Sequence, residues 1–164
     1  MTEILTIDQV LALEPPRRFV ATEELSSMEL AELLSKAVKA TRKLSLNAME
    51  LGIPFQVMVL NGDPLCHVLF NPKIVAYLGE EKLFAESCAS WPAAVLKIKR
   101  NDIISVRFTT PDGHSLTQNF TGLTAARIQH EMDHFNKVDF RRKASLYERE
   151  KAANKVKKWN RLNG

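Results

Sequence analysis

His130 and His134 stand four residues apart with Glu131 between them, a spacing with definite chemical consequences. On a helix, positions i and i+4 project from one face a turn apart, so both imidazoles can reach a single metal ion. The carboxylate beside the first histidine then sits where it can take a proton from a metal-bound water. Hydrolytic sites of this kind use three protein ligands and keep a fourth position for water or substrate, so one more His, Cys, Asp or Glu is required. His67 falls in a strand-like run and His114 in a turn, places where a lone histidine is usually unmetallated. Cys66 alternates with apolar residues and is expected to behave as a small buried hydrophobe. Cys88 lies in Glu86-Ser87-Cys88-Ala89-Ser90-Trp91-Pro92, which lacks regular periodicity. A loop there could aim a thiolate at the helix. Taken alone, Cys88 fits a buried structural thiol better than a ligand.

The elements that must position these groups follow from periodicity. Residues 1–25 are expected to be irregular, with Pro15-Pro16 breaking any helix. Ser26 and Glu29 form a capping-box pair ahead of Met28, Leu30, Leu33, Leu34, Ala37 and Val38, which recur at helical spacing through about Arg42. Strands are expected at Phe55–Leu60 and at Leu65–Phe70, the second ended by Asn71-Pro72. Further strands are expected near Val95–Lys99, at Ile103–Thr109 and, after the turn Pro111-Asp112-Gly113, at Ser115–Phe120. Thr121 or Gly122 opens the helix carrying the histidines, and Ser145–Leu162 reads as a last helix with few large apolar residues. The result is an α+β class: antiparallel strands packed around a central metal-binding helix, with N-terminal and C-terminal helices, in one domain spanning 1–164.

Composition narrows the setting. No apolar run approaches the roughly 20 residues of a bilayer crossing. Met1-Thr2-Glu3-Ile4-Leu5 does not read as a secretory leader, and two cysteines do not make a disulfide framework, so cytoplasm is expected. Residues 141–164 carry nine Lys/Arg against two Glu, a local +7 within a chain whose net charge is +4. Such a basic tail is either a solvated helix or a contact for an RNA-rich partner.

The run Gln129-His130-Glu131-Met132-Asp133-His134-Phe135-Asn136 resembles the QHExDHLNG segment of peptide deformylases, and Glu86-Ser87-Cys88-Ala89-Ser90 resembles their EGCLS segment. Gly52-Ile53-Pro54, the strand after it and Asn71-Pro72 follow in the family's order, so the resemblance covers about residues 26–158. It implies Cys88, His130 and His134 as metal ligands and Glu131 as general acid/base. The cofactor implied is one divalent ion, Fe2+ first and Zn2+ second. Ligand chemistry alone suits both metals. The implied reaction removes the formyl group from N-formylmethionyl nascent peptides and releases formate. The Ala89 backbone N–H would help hold the formyl oxygen, and Ser45, Leu46, Glu86 and Ser87 would contact substrate. The resemblance further implies a monomer whose C-terminal helix, about 145–164, contacts the ribosome.

One motif departs. Where the family has GxGLAAxQ, this chain reads Lys43-Leu44-Ser45-Leu46-Asn47-Ala48-Met49-Glu50. The family's glutamine donates an amide hydrogen bond to the formyl oxygen, whereas an ionised glutamate only accepts and would repel developing negative charge. A neutral Glu50 could still donate, or Asn47 could supply the donor. Alternatively, the chain has altered or lost activity and serves as a ribosome- or RNA-associated binding module.

Overall fold

The structure is a computed structural model describing residues 3–164. Met1 and Thr2, part of the segment read as lacking a leader, lie outside the described residues. Helix α1 (Ile7–Ala12) and helix α2 (Ser27–Thr41) precede a short strand β1 (Ser45–Asn47) and a single 3-10 turn at Ala48–Leu51. Strands β2 (Val57–Leu60), β3 (His67–Tyr77), β4 (Glu81–Cys88), β5 (Trp91–Asn101), β6 (Ile103–Thr109) and β7 (Ser115–Thr121) follow. Helix α3 (Gly122–Phe135), a 3-10 turn at Phe140–Lys143 and helix α4 (Leu146–Asn163) complete the chain. All strand pairs are antiparallel and form a five-stranded sheet, β1-β2-β3-β6-β7, and a two-stranded sheet, β4-β5. This is the α+β class expected, with α3 touching strands of both sheets.

Strand β2 shows why the large sheet sits where it does. All four of its residues are buried, because successive side chains point to opposite faces and both faces are covered. Val57 and Val59 pack with Leu30, Leu34 and Val38 of α2. Met58 and Leu60 pack with Ile128 and Phe135 of α3. A third apolar cluster joins Leu96 and Ile98 of β5 to Phe140 and to Ala152 and Val156 of α4.

Helix α2 starts as expected: Ser26 Oγ accepts from the Glu29 N–H at 3.1 Å, and Glu29 Oε2 accepts from the Ser26 N–H at 2.8 Å. Residues 1–25 correct the sequence reading, because α1 lies within them. Its signal is the pair Thr6 and Gln9, a second capping box that holds a helix burying Ile7 and Val10. Asn71-Pro72 does not end a strand. Strand β3 runs through it to Tyr77 by way of a bulge between Phe70 and Lys73, where proline's missing donor is tolerated. Asn71 there takes a positive φ of 50°, and its side chain pairs with both backbone groups of Phe19. The strand near Val95–Lys99 is longer than expected and pairs with β4, which precedes it across a two-residue turn, rather than with β6, which follows it. His67 opens β3 and is exposed, His114 is exposed beside Asp112, and Cys66 is only partly buried. No described helix is long and apolar enough to cross a membrane.

Candidate metal centre

Three segments deliver the side chains. Helix α3 is buried along most of its length, polar residues included, so His130 and His134 project into the interior from one face. Strand β4 ends at Cys88, reached through a bulge between Glu86 and Cys88, and Ala89-Ser90 turn the chain into β5. The region expected to be a loop is thus the end of a strand, and its poor periodicity reflects that bulge. The third segment is β1 with the 3-10 turn after it, which carries Ser45, Asn47 and Glu50. Asn47 caps that turn, its Oδ1 accepting from the Glu50 N–H while Glu50 Oε2 accepts from the Asn47 N–H.

The donor atoms converge. Cys88 Sγ lies 3.4 Å from His134 Nε2, which lies 3.2 Å from His130 Nε2. One donor atom from each of Cys88, His130 and His134 falls within 4.8 Å of the other two. Two imidazole nitrogens at this distance cannot both keep lone pairs facing each other unless a proton or a cation lies between them. Glu50 and Glu131 share the same buried space, and among the described residues neither is paired with a Lys or Arg. Two buried carboxylates, a thiol and two imidazoles make a donor set suited to a divalent transition metal. The residues present therefore fit a metal.

Most of these groups are oriented by a neighbour, whereas the buried His134 Nδ1 has no hydrogen-bond partner among the described residues. Glu131 accepts from Ser45 Oγ at 2.6 Å on Oε1 and from Asn47 Nδ2 at 2.6 Å on Oε2, leaving a lone pair free on each oxygen. His130 Nδ1 is 2.9 Å from Glu86 Oε1, which fixes the tautomer with Nε2 free to ligate. Glu86 in turn accepts Arg100 Nε at 2.7 Å and Nη2 at 2.9 Å. Arg100 Nη1 continues to Asp133 at 2.7 Å, and Lys143 Nζ completes the chain at 2.8 Å. Burial alone would push the Glu86 carboxyl up. The Arg100 guanidinium and His130 imidazole more than reverse that and hold it at about 2. Burial, reinforced by the negative charge of Glu50 and Glu131, pushes the Cys88 thiol well above its ordinary value. A metal acts in the opposite sense, since a coordinated thiol is deprotonated. Burial lowers the His130 pKa and so favours the neutral, ligating ring.

The expected site residues separate into two groups. Cys88, His130, Glu131, His134, Glu50 and Ser45 come together. Leu46 and Glu86 sit elsewhere than expected. The Leu46 side chain is fully buried in the core beneath α2, because its strand pairing with Val59 turns it away from the cleft. Glu86 is fully buried with both oxygens engaged, so it orients His130 and has no free face for substrate. The Ser87 carbonyl accepts both Nη groups of Arg127, at 3.0 and 2.9 Å, and Ala89 is half-buried in the turn. Sequence reasoning missed Arg100, which sits 14 residues from Glu86 with no local signal. It also missed the role of Ser90, whose hydroxyl donates to Glu50 Oε1 at 2.8 Å.

Glu86→Gln is expected to leave Arg100 undercompensated in the interior and to destabilise the fold by about 3–5 kcal/mol. Thermal unfolding should show this as a Tm lower by roughly 10 °C. A Tm within a degree or two of wild type would mean that the buried network contributes little.

A family model described as polypeptide deformylase matches residues 1–150. The peptide deformylase of Caulobacter vibrioides is 28% identical over 166 residues, covering 96% of this chain and 96% of that protein. That of Synechococcus sp. strain CC9605 is 32% identical over 145 residues, covering 84% of this chain and 71% of that protein. The crystal structure of a peptide deformylase from Legionella pneumophila superposes with a TM-score of 0.86 at 27% identity, covering 99% of this chain and 97% of that one. With a matching family model over most of its length and the same fold around the site, this chain belongs to the polypeptide deformylase family.

Proposed function

We propose that the protein is a metal-dependent hydrolase that removes the formyl group from N-formylmethionyl nascent peptides, working as a cytoplasmic monomer with 1–164 as its single domain. The observation that carries this reading is the convergence of Cys88, His130 and His134 beside Glu131, whose two oxygens are held by Ser45 and Asn47. In it, Cys88, His130 and His134 hold one divalent ion, Fe2+ in preference to Zn2+, which when bound supplies a Lewis acid and activates water. Glu131 accepts the proton released at the attacking oxygen and returns it to the leaving amine. The Ala89 N–H, in the turn after Cys88, shares the charge that develops on the formyl oxygen in this reading. The test is formate release from an N-formylmethionyl peptide by protein loaded with ferrous iron without oxygen. Absence of formate at full metal loading would overturn the reading.

A second reading is favoured by the changed first motif, where Ser45, Asn47 and Glu50 all turn their side chains onto the centre. It makes the chain a deformylase-like binding module with altered or lost activity. The basic residues of α4 support contact with ribosomes or RNA under either reading, since Arg149, Lys151, Lys155, Lys157, Lys158 and Arg161 are all exposed. The helix is tied to the body through buried Ala152, half-buried Val156 and Glu148, which accepts the Lys97 N–H at 3.2 Å. Deleting residues 145–164 is expected to leave hydrolysis of a short peptide within about twofold, while lowering stability by about 1–3 kcal/mol. Co-sedimentation with ribosomes should weaken and lose its salt dependence. Unchanged sedimentation would remove α4 from the contact.

A further inference from the structure

Arg127 is a buried cation that the proposed chemistry leaves unused. The residue is 4% exposed. Among the described residues its guanidinium meets no carboxylate: Nη1 and Nη2 both donate to the Ser87 carbonyl, at 3.0 and 2.9 Å, and Nε has no partner. Taking a charge out of water without an opposite charge beside it is costly, so packing alone does not account for an arginine here.

The place it reaches supplies the reason. Between the pairs Glu86–Leu96 and Cys88–Trp91 lie one residue of β4, Ser87, and four of β5, residues 92–95, out of register with each other. The ladder of the hairpin is therefore interrupted one residue before the thiol, and Ser87 has no cross-strand partner. Its carbonyl belongs to the peptide unit that ends at Cys88 Cα. That unit is planar, so two hydrogen bonds on the oxygen fix the plane and leave χ1 to place Sγ. On the far side of the thiol, the Ser90 carbonyl is held separately by the Ile7 N–H at 2.8 Å.

The clamp comes from the element that carries the histidines. Arg127, His130 and His134 stand at i, i+3 and i+7 of α3 and share one buried face. One helix thus sets two imidazoles directly and the thiol through the Ser87 carbonyl, with Cys88 Sγ 3.4 Å from His134 Nε2. A charged donor makes stronger hydrogen bonds than a neutral one, and the guanidinium fork directs two of them at one acceptor.

We infer that Arg127 is a positioning residue of the metal centre, holding Cys88 in place to ligate through the Ser87 carbonyl. The inference rests on the reading in which Cys88, His130 and His134 hold the ion.

The test uses the full chain loaded with cobalt(II), with two readouts: affinity, by competition with a chelator, and the sulfur-to-cobalt charge-transfer band per bound ion. Arg127→Met, an unbranched side chain without donors, should weaken cobalt binding by about 10–100-fold, the usual cost of losing a group that orients a ligand. Its band per bound cobalt should fall as well, because the sulfur is no longer held toward the ion. A change that merely loosened the fold would leave that band intact in the molecules that still bind. Arg127→Lys keeps the charge and one donor and should recover part of both losses. An affinity or a band per bound cobalt equal to wild type in Arg127→Met would overturn the inference. If the Met variant does not fold, Arg127→Lys carries the test: an affinity loss of about threefold or more with a weaker band supports the inference, and wild-type values overturn it. Metal content of Cys88→Ala separates the two levels: full occupancy there would overturn the ligand set itself, whatever the Arg127 variants show.

Discussion

Glu131→Gln should keep its metal and its fold while formate release falls by roughly 10²–10⁴, the usual contribution of a positioned general base. The fold survives because the amide is isosteric and both of its new polar atoms find partners. Its oxygen can accept from Asn47 Nδ2, and its NH₂ can donate to Ser45 Oγ once that hydroxyl rotates, hydroxyls being both donor and acceptor. The metal is expected to survive because the proposed ligands Cys88, His130 and His134 are untouched. What is lost is the basic lone pair beside them. The measurement is kcat for an N-formylmethionyl peptide, with metal content determined on the same sample. Activity within a few fold of wild type would take Glu131 out of the proton transfer.

How much of this centre can be read from sequence depends on how local each determinant is. His130, Glu131 and His134 are legible because one helical turn fixes their relation, and the helix itself is legible from its apolar spacing. Cys88 is legible only through the family resemblance. The bulge that aims it disrupts the period-two pattern, so β4 reads as an irregular segment. β4 and β5 pair locally, as a hairpin across the turn Ala89-Ser90, but what packs on that hairpin is not local: Leu96 and Ile98 share a cluster with Phe140 and with Ala152 of α4, far along the chain. The α1 helix was legible in Thr6 and Gln9, but six residues between a terminus and a Pro-Pro pair give little periodicity to support the cap. Leu46 shows the opposite failure. Its place in the first motif suggests a cleft residue, yet strand alternation sends its side chain into the core and the flanking Ser45 and Asn47 toward Glu131. The direction of a side chain from a three-residue strand depends on which neighbours the strand pairs with, and that information lies in β2.

The substitution with the most to gain is Glu50→Gln, for which formate release should rise by up to roughly 10²–10³, the worth of one donor to a developing oxyanion. The amide oxygen can keep the Ser90 hydroxyl or the Asn47 N–H, whose contacts to Glu50 are 2.8 and 3.0 Å. The NH₂ group then faces the thiolate and the place where the formyl oxygen must sit, and it donates where a carboxylate could only accept. Because the new donor acts in the transition state, kcat should rise with KM nearly constant. Kinetics on iron-loaded wild type and variant, prepared side by side without oxygen, measure this. An unchanged kcat/KM would mean that Glu50 does not face the formyl oxygen, and another residue would have to complete the site.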